Sequence, residues 1–144
     1  MELTFRKLDP DAQLPAAQHP GDAGLDLRSV VDVDVVPGAR VPIPTGVAVA
    51  IPEGHAGLVL PRSGLATKLG LTLANAPGLI DSGYRGEVIC SVVNLDPEHA
   101  VRISRGDRIA QLVVVGLSSI EPAWVEQLPP SARGDGGFGS TGSS

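Results

Sequence analysis

Valine at alternate positions, in short runs closed by glycine or proline, is the feature that most limits what this chain can fold into. The clearest run is VVDVDVV at 30–36, where Val31, Val33 and Val35 fall on one face and Asp32 and Asp34 on the other. Branched Cβ atoms suit a pleated sheet, and a two-residue period is that of a strand with one wet face. Pro37-Gly38 then turns the chain, and RVPIP at 40–44 resumes the alternation with prolines, which predicts an edge or bulged segment. Further strands are expected at 45–51, 56–60, 71–75, 86–95, 99–104 and 108–115, a spacing that suits a sandwich or barrel. GLATKLG at 64–70 is the one stretch that predicts a helical turn.

The composition agrees with an all-β chain. Glycine (18) and proline (13) together supply 31 of 144 residues, while 17 Val and 7 Ile stand against four aromatic residues, Phe5, Tyr84, Trp124 and Phe138. The core must therefore be aliphatic. An apolar share of 42% with a net charge of -5 excludes disorder throughout. The length is that of one domain, large enough to fold without disulfides or a structural metal.

Cys90 is the only cysteine, so no intrachain disulfide can form, and no Cys/His cluster has zinc-ligand spacing. The acidic balance argues against a nonspecific nucleic-acid binder. The N-terminal MELTFRKLDPDAQLP lacks an apolar signal core, and the longest aliphatic run, Leu112 to Val115, is too short to span a bilayer. A cytoplasmic protein with no nucleic-acid or membrane partner is expected.

After Pro129-Pro130 the composition changes. SARGDGGFGSTGSS, residues 131–144, holds five Gly and four Ser, punctuated by Arg133, Asp135 and Phe138. This divides the chain into a β domain at 1–128 and a flexible tail at 129–144, the latter suited to ordering on a ligand.

The common nucleotide and hydrolase signatures GxxxxGK[ST], GxGxxG, GxSxG and HExxH are absent, and His19, His55 and His99 sit beside turns without ligand spacing. What remains is a series of Gly-flanked polar clusters between strands: AGLDL at 23–27, PRSGLA at 61–66, GLIDSGYRGE at 78–87, RGDRIAQLVV at 105–114 and RGDGGFGSTG at 133–142. Singly, each could be a turn or a cap. In this order they resemble the five motifs of the trimeric dUTPase family, from about Ala23 to Gly142.

The resemblance implies a distorted jelly-roll-like β-barrel with at most one short helix, assembled as a homotrimer with shared active sites. It implies Mg²⁺-assisted hydrolysis of dUTP to dUMP and pyrophosphate, which limits uracil in DNA and supplies dUMP for dTMP synthesis. Asp81 would be the general base that activates water for attack on the α-phosphorus, which requires a carboxylate near in-line and partly desolvated. Asp26 would contact the metal through water or orient Asp81, with Mg²⁺ held mainly by the triphosphate. Arg62, Ser63, Gly64 and Gln111 would bind phosphates.

In the family the nucleoside pocket is a β-hairpin. Asn75 and the backbone around Gly78 and Ile80 would read uracil there, and Tyr84 would pack under deoxyribose and exclude a 2′-hydroxyl. From the tail, Arg133 would meet the γ-phosphate and Phe138 would stack on uracil, while Gly139, Ser140 and Thr141 would bring backbone N–H groups to phosphate.

Two rival readings share the scaffold. The dCTP deaminases resemble the chain around RSG, IDSGYRG and RGD, but they carry a second serine where Gly64 stands and a catalytic glutamate where Ser91 stands. A non-catalytic trimeric nucleotide-binding regulator would not need the full set of Asp26, Arg62, Ser63, Asp81, Gln111, Arg133 and Phe138.

Overall fold

The computed structural model describes residues 1–139. Ten strands and one short helix follow in order: β1 (Thr4–Lys7), β2 (Leu25–Arg28), β3 (Val33–Val35), β4 (Arg40–Ala50), β5 (His55–Leu60), α1 (Ser63–Leu69), β6 (Leu71–Leu73), β7 (Gly78–Ile80), β8 (Glu87–Asn94), β9 (Val101–Ile103) and β10 (Arg108–Gly116). They form two four-stranded sheets, β1-β4-β8-β6 and β2-β10-β5-β7, and a β3-β9 pair. All described pairings are antiparallel. The chain is thus nearly all β. Among the described residues no helix is long and apolar enough to cross a membrane.

One core joins all three sheets. Leu27 and Leu112 come from one large sheet, Ile43, Val49 and Val92 from the other, and Val35 from the small pair, each essentially without solvent exposure. This central cluster of buried residues contains no aromatic side chain, as the composition requires. Such aliphatic residues fill the inter-sheet space through alternation along each strand.

The valine run forms a shorter strand than its pattern predicts. Val33, Asp34 and Val35 pair with β9, with Val35 buried and Asp34 exposed. Upstream, the Ser29 hydroxyl bonds both the backbone N–H and the carbonyl of Val31, and this local turn competes with the ladder.

The expected segments 40–44 and 45–51 fuse into β4, which is an inner strand of its sheet rather than an edge. The prolines are tolerated because β1 covers only Val47–Ala50, leaving one side of the proline half free of a strand. The Pro44 carbonyl faces that side, accepting from Val30 N–H, so the donors missing at Pro42 and Pro44 are not owed to β8. The expected bulge is present, as a register shift between Pro44 and Ala48.

Helix α1 ends at Gly70, whose φ of 72° lets its N–H turn back to the carbonyls of Ala66 and Leu65. After β10, residues 117–139 contain no strand or helix, and Leu117, Ile120, Trp124, Val125 and Leu128 are exposed.

Candidate active site

Most of the sequence-predicted residues separate into two hollows that share no lining residue. The first, about 160 Å³, lies where β6, β7 and β8 meet and is lined by Asn75, Gly78, Ile80, Tyr84, Glu87 and Cys90, among others. Strands β6 and β7, which flank Asn75, do not form a hairpin with each other; β6 pairs with β8 and β7 with β5. The reason is burial: Leu71 and Leu73 face the core from one sheet, Gly78 and Ile80 from the other, so the corner between them crosses from sheet to sheet.

Tyr84 is 46% exposed, which excludes a core role for its ring. Its hydroxyl donates to the Glu87 carbonyl at 2.8 Å and its N–H to the Asp81 carbonyl at 3.1 Å, fixing the ring at the mouth of the hollow. A Cβ at Gly86 would collide with that ring, so the close approach depends on glycine there. Cys90 contributes to the lining while 1% exposed, and burial pushes its thiol up to about 12, so it is chemically quiet.

Asp81 follows β7 beside this hollow and is exposed, not partly desolvated as a general base requires. The expected desolvation is absent in the single chain.

The second hollow is larger, about 460 Å³, and more polar. Gln18, Asp22, Gly24, Asp26, Arg62, Ser63, Gly64 and Gln111 contribute to its wall. Sheet register builds it: Gln111 stands opposite Asp26 on one side and Leu60 on the other, so all three project from the same face of the β2-β10-β5 sheet. Arg62, at the N-cap of α1, has no side-chain cap bond, which leaves the first N–H groups of the helix without a protein partner from the cap. A Cβ at Gly64 would meet nothing within 4 Å, so the space beside it is open.

The Gln111 amide donates to the Pro61 carbonyl at 3.1 Å, and a Cβ at Gly24 would collide with its Oε1. Glycine at 24, just before β2, thus leaves room for the Gln111 side chain. Asp26 sits between two guanidinium groups, with Arg62 Nε 4.0 Å from one carboxylate oxygen and Arg108 Nη1 3.5 Å from the other. These are ion-pair distances too long for strong hydrogen bonds, so acceptor positions remain for water. Its expected contact with Asp81 is not made within one chain.

The two hollows are separate: Val59 of β5 contributes to the first and its neighbour Leu60 to the second, and no lining residue is common to both. Arg133, Phe138 and Gly139 line neither hollow; Arg133 Nε donates to the Gly136 carbonyl, and Phe138 is fully exposed. Ser140 and Thr141 lie outside the described residues.

Among the described residues no group of three or more His, Cys, Asp or Glu is arranged to hold a metal. The available donor set is two carboxylates, Asp22 and Asp26, in the polar hollow. It fits a hydrated Mg²⁺ that arrives on phosphate oxygens and meets Asp26 through water, not a dedicated protein cage.

Sequence reasoning overlooked Gln18, Asp22, Gly24 and Arg108. Gly24 and Arg108 stand inside quoted motifs, and their role emerges only from strand pairing; Gln18 carries no signal of its own.

The dUTPase family model matches residues 10–142. A deoxyuridine 5'-triphosphate nucleotidohydrolase of Streptomyces coelicolor is 56% identical over 142 residues, covering 99% of this chain and 78% of the relative. One from Mycobacterium bovis BCG is 50% identical over 145 residues, covering 97% and 94%. A solved structure of a Staphylococcus bacteriophage 80alpha dUTPase with dUPNHPP matches at TM-score 0.89 and 35% identity over 99% of both chains. A mutant dUTPase from phage phi11 of S. aureus, described with a structural Mg(II) ion, matches at TM-score 0.81 and 31% identity, covering 88% of this chain and 98% of that one.

Proposed function

The chain belongs to the dUTPase family and is a dUTP diphosphatase, and we propose that it releases dUMP and pyrophosphate from sites shared between the subunits of a homotrimer. The observation that carries this reading is the sorting of most predicted site residues into two separate hollows, one around Asn75, Gly78 and Ile80 and a more polar one around Asp26, Arg62 and Gln111. A second copy that brings its polar hollow to the apolar hollow of the first completes the site and covers Asp81. The exposed Ile120, Trp124, Val125 and Leu128 support assembly, since packing against another copy would remove that apolar surface from water. A jelly-roll-like barrel is the expected description of the two packed sheets.

Asn75 and the backbone at Gly78 and Ile80 hold the uracil edge, and Tyr84 lies under the deoxyribose. An added 2′-hydroxyl would meet the ring without a hydrogen-bond partner. Arg62, Ser63, Gly64 and Gln111 hold the phosphate chain. Residues 129–144 act as a tail that closes on bound nucleotide, with Arg133 at the γ-phosphate, Phe138 on the base, and the backbone of Gly139 and Ser140 at phosphate.

Asp81 takes a proton from a water molecule as the oxygen forms a bond to the α-phosphorus, and the bond from that phosphorus to the bridging oxygen breaks, releasing pyrophosphate. Bound Mg²⁺ would neutralise charge on the triphosphate oxygens and leaving group. Asp26 would hold it through water. The activity would limit uracil incorporation into DNA and supply dUMP for dTMP synthesis.

The test is pyrophosphate release from dUTP, dCTP, dTTP and UTP, with Mg²⁺ and with excess chelator, by the native chain and by Asp81→Asn. Metal-dependent release from dUTP alone, abolished in a folded Asp81→Asn chain, is expected. Normal turnover by that variant would refute the assignment of the base.

A further inference from the structure

We propose that Arg108 is a positioning residue for this reaction, acting through Asp26, and that a bulge in β10 exists to aim it. The proposal rests on the reading of Asp26 as part of the site. Arg108 and Gln111 are three residues apart, so in a regular strand they would point to opposite faces. Yet Arg108 stands opposite Arg28 and Gln111 opposite Asp26, and residues 26 and 28 share the outer face of β2 around buried Leu27. The register shift between Arg108 and Ala110 resolves this. Ile109 is the extra residue, and both Ile109 and Ala110 are buried, which leaves Arg108 turned outward beside Gln111.

Once there, Arg108 links three parts of the polar hollow. Its Nη1 lies 3.5 Å from Asp26 Oδ2 and donates to Gln18 Oε1, while its backbone carbonyl accepts from Arg62 Nη1 at 3.3 Å. Asp26 is 17% exposed and Arg108 30%, so this pair is screened less than a surface ion pair. Among the described residues, the one other cationic partner of Asp26 is Arg62, at 4.0 Å. Removing the Arg108 guanidinium leaves the carboxylate free to swing toward Arg62, away from the water it must orient. One nitrogen, Nη1, serves both Gln18 and Asp26, so the contact depends on the reach and direction of the arginine side chain.

The test is a double-mutant cycle on the full chain: Arg108→Met, Asp26→Asn and the double variant, with kcat and KM for dUTP, the Mg²⁺ concentration for half-maximal rate, and dUMP affinity. Arg108→Met should lower kcat about tenfold and raise the Mg²⁺ requirement, with dUMP affinity unchanged, because the nucleoside hollow is untouched. The double variant should be no slower than Asp26→Asn alone. Losses that multiply would overturn the proposal, since Arg108 would then act independently of Asp26. Should Asp26→Asn by itself retain full turnover, the reading of Asp26 would fail and the proposal with it, an outcome distinct from multiplication. Arg108→Lys, which keeps the charge, carries the same cycle if Arg108→Met does not fold, and should recover only part of the rate.

Discussion

Sites shared between subunits make a quantitative prediction for mixed assemblies. Asp81→Asn disables the apolar half and Asp26→Asn the polar half, and both changes conserve shape, so each chain should fold and assemble. Equal amounts of the two inactive variants are dissociated in denaturant, refolded together, and assayed for pyrophosphate release. If each site takes Asp81 from one subunit and Asp26 from another, an intact site needs one chain of each kind in the correct order. Of randomly assembled trimers about three-quarters are mixed, and each mixed trimer has one intact site among its three, so about a quarter of native activity returns. The number follows from geometry alone. A site built within one chain would carry one lesion in every copy, and the mixture would show only the mean of the two residual rates; that result would refute the shared-site reasoning.

Other outcomes follow from individual contacts. Gly24→Ala should displace Gln111 and raise KM for dUTP with little loss of thermal stability, because the collision is with the end of a flexible side chain; steady-state kinetics and a melting curve separate the two effects. Cys90, with its thiol pushed up to about 12 by burial, has almost no thiolate at pH 8, so a thiol-specific reagent should label it far more slowly in native than in unfolded protein; equal rates would mean the first hollow opens to its floor. Removal of residues 131–144 should sharply reduce turnover while sedimentation still reports a trimer, and dissociation would instead make the tail structural.

Much of the architecture was legible because it is local. The alternation of Val33, Asp34 and Val35, the aliphatic core, the helix closed by Gly70 and the long strand β10 all follow from period and punctuation. Strands β1, β2 and β7, of three or four residues each, were not read. That β4 is an inner strand could not be foreseen, because where β1 stops relative to Pro44 is a matter of pairing. The site clusters stood out as motifs, whereas their division between two hollows did not: residues 59 and 60 are neighbours in sequence yet contribute to different hollows. Arg108 is the sharpest case: by counting, it belongs on the face opposite Gln111, and a single extra residue in the strand reverses that.

The central claim is that water, activated at Asp81, attacks the α-phosphorus. Hydrolysis of dUTP in ¹⁸O-labelled water, with both products weighed by mass spectrometry, tests it most directly. The account predicts the label in dUMP and none in pyrophosphate. Label in pyrophosphate would place the attack on the β-phosphorus and contradict it.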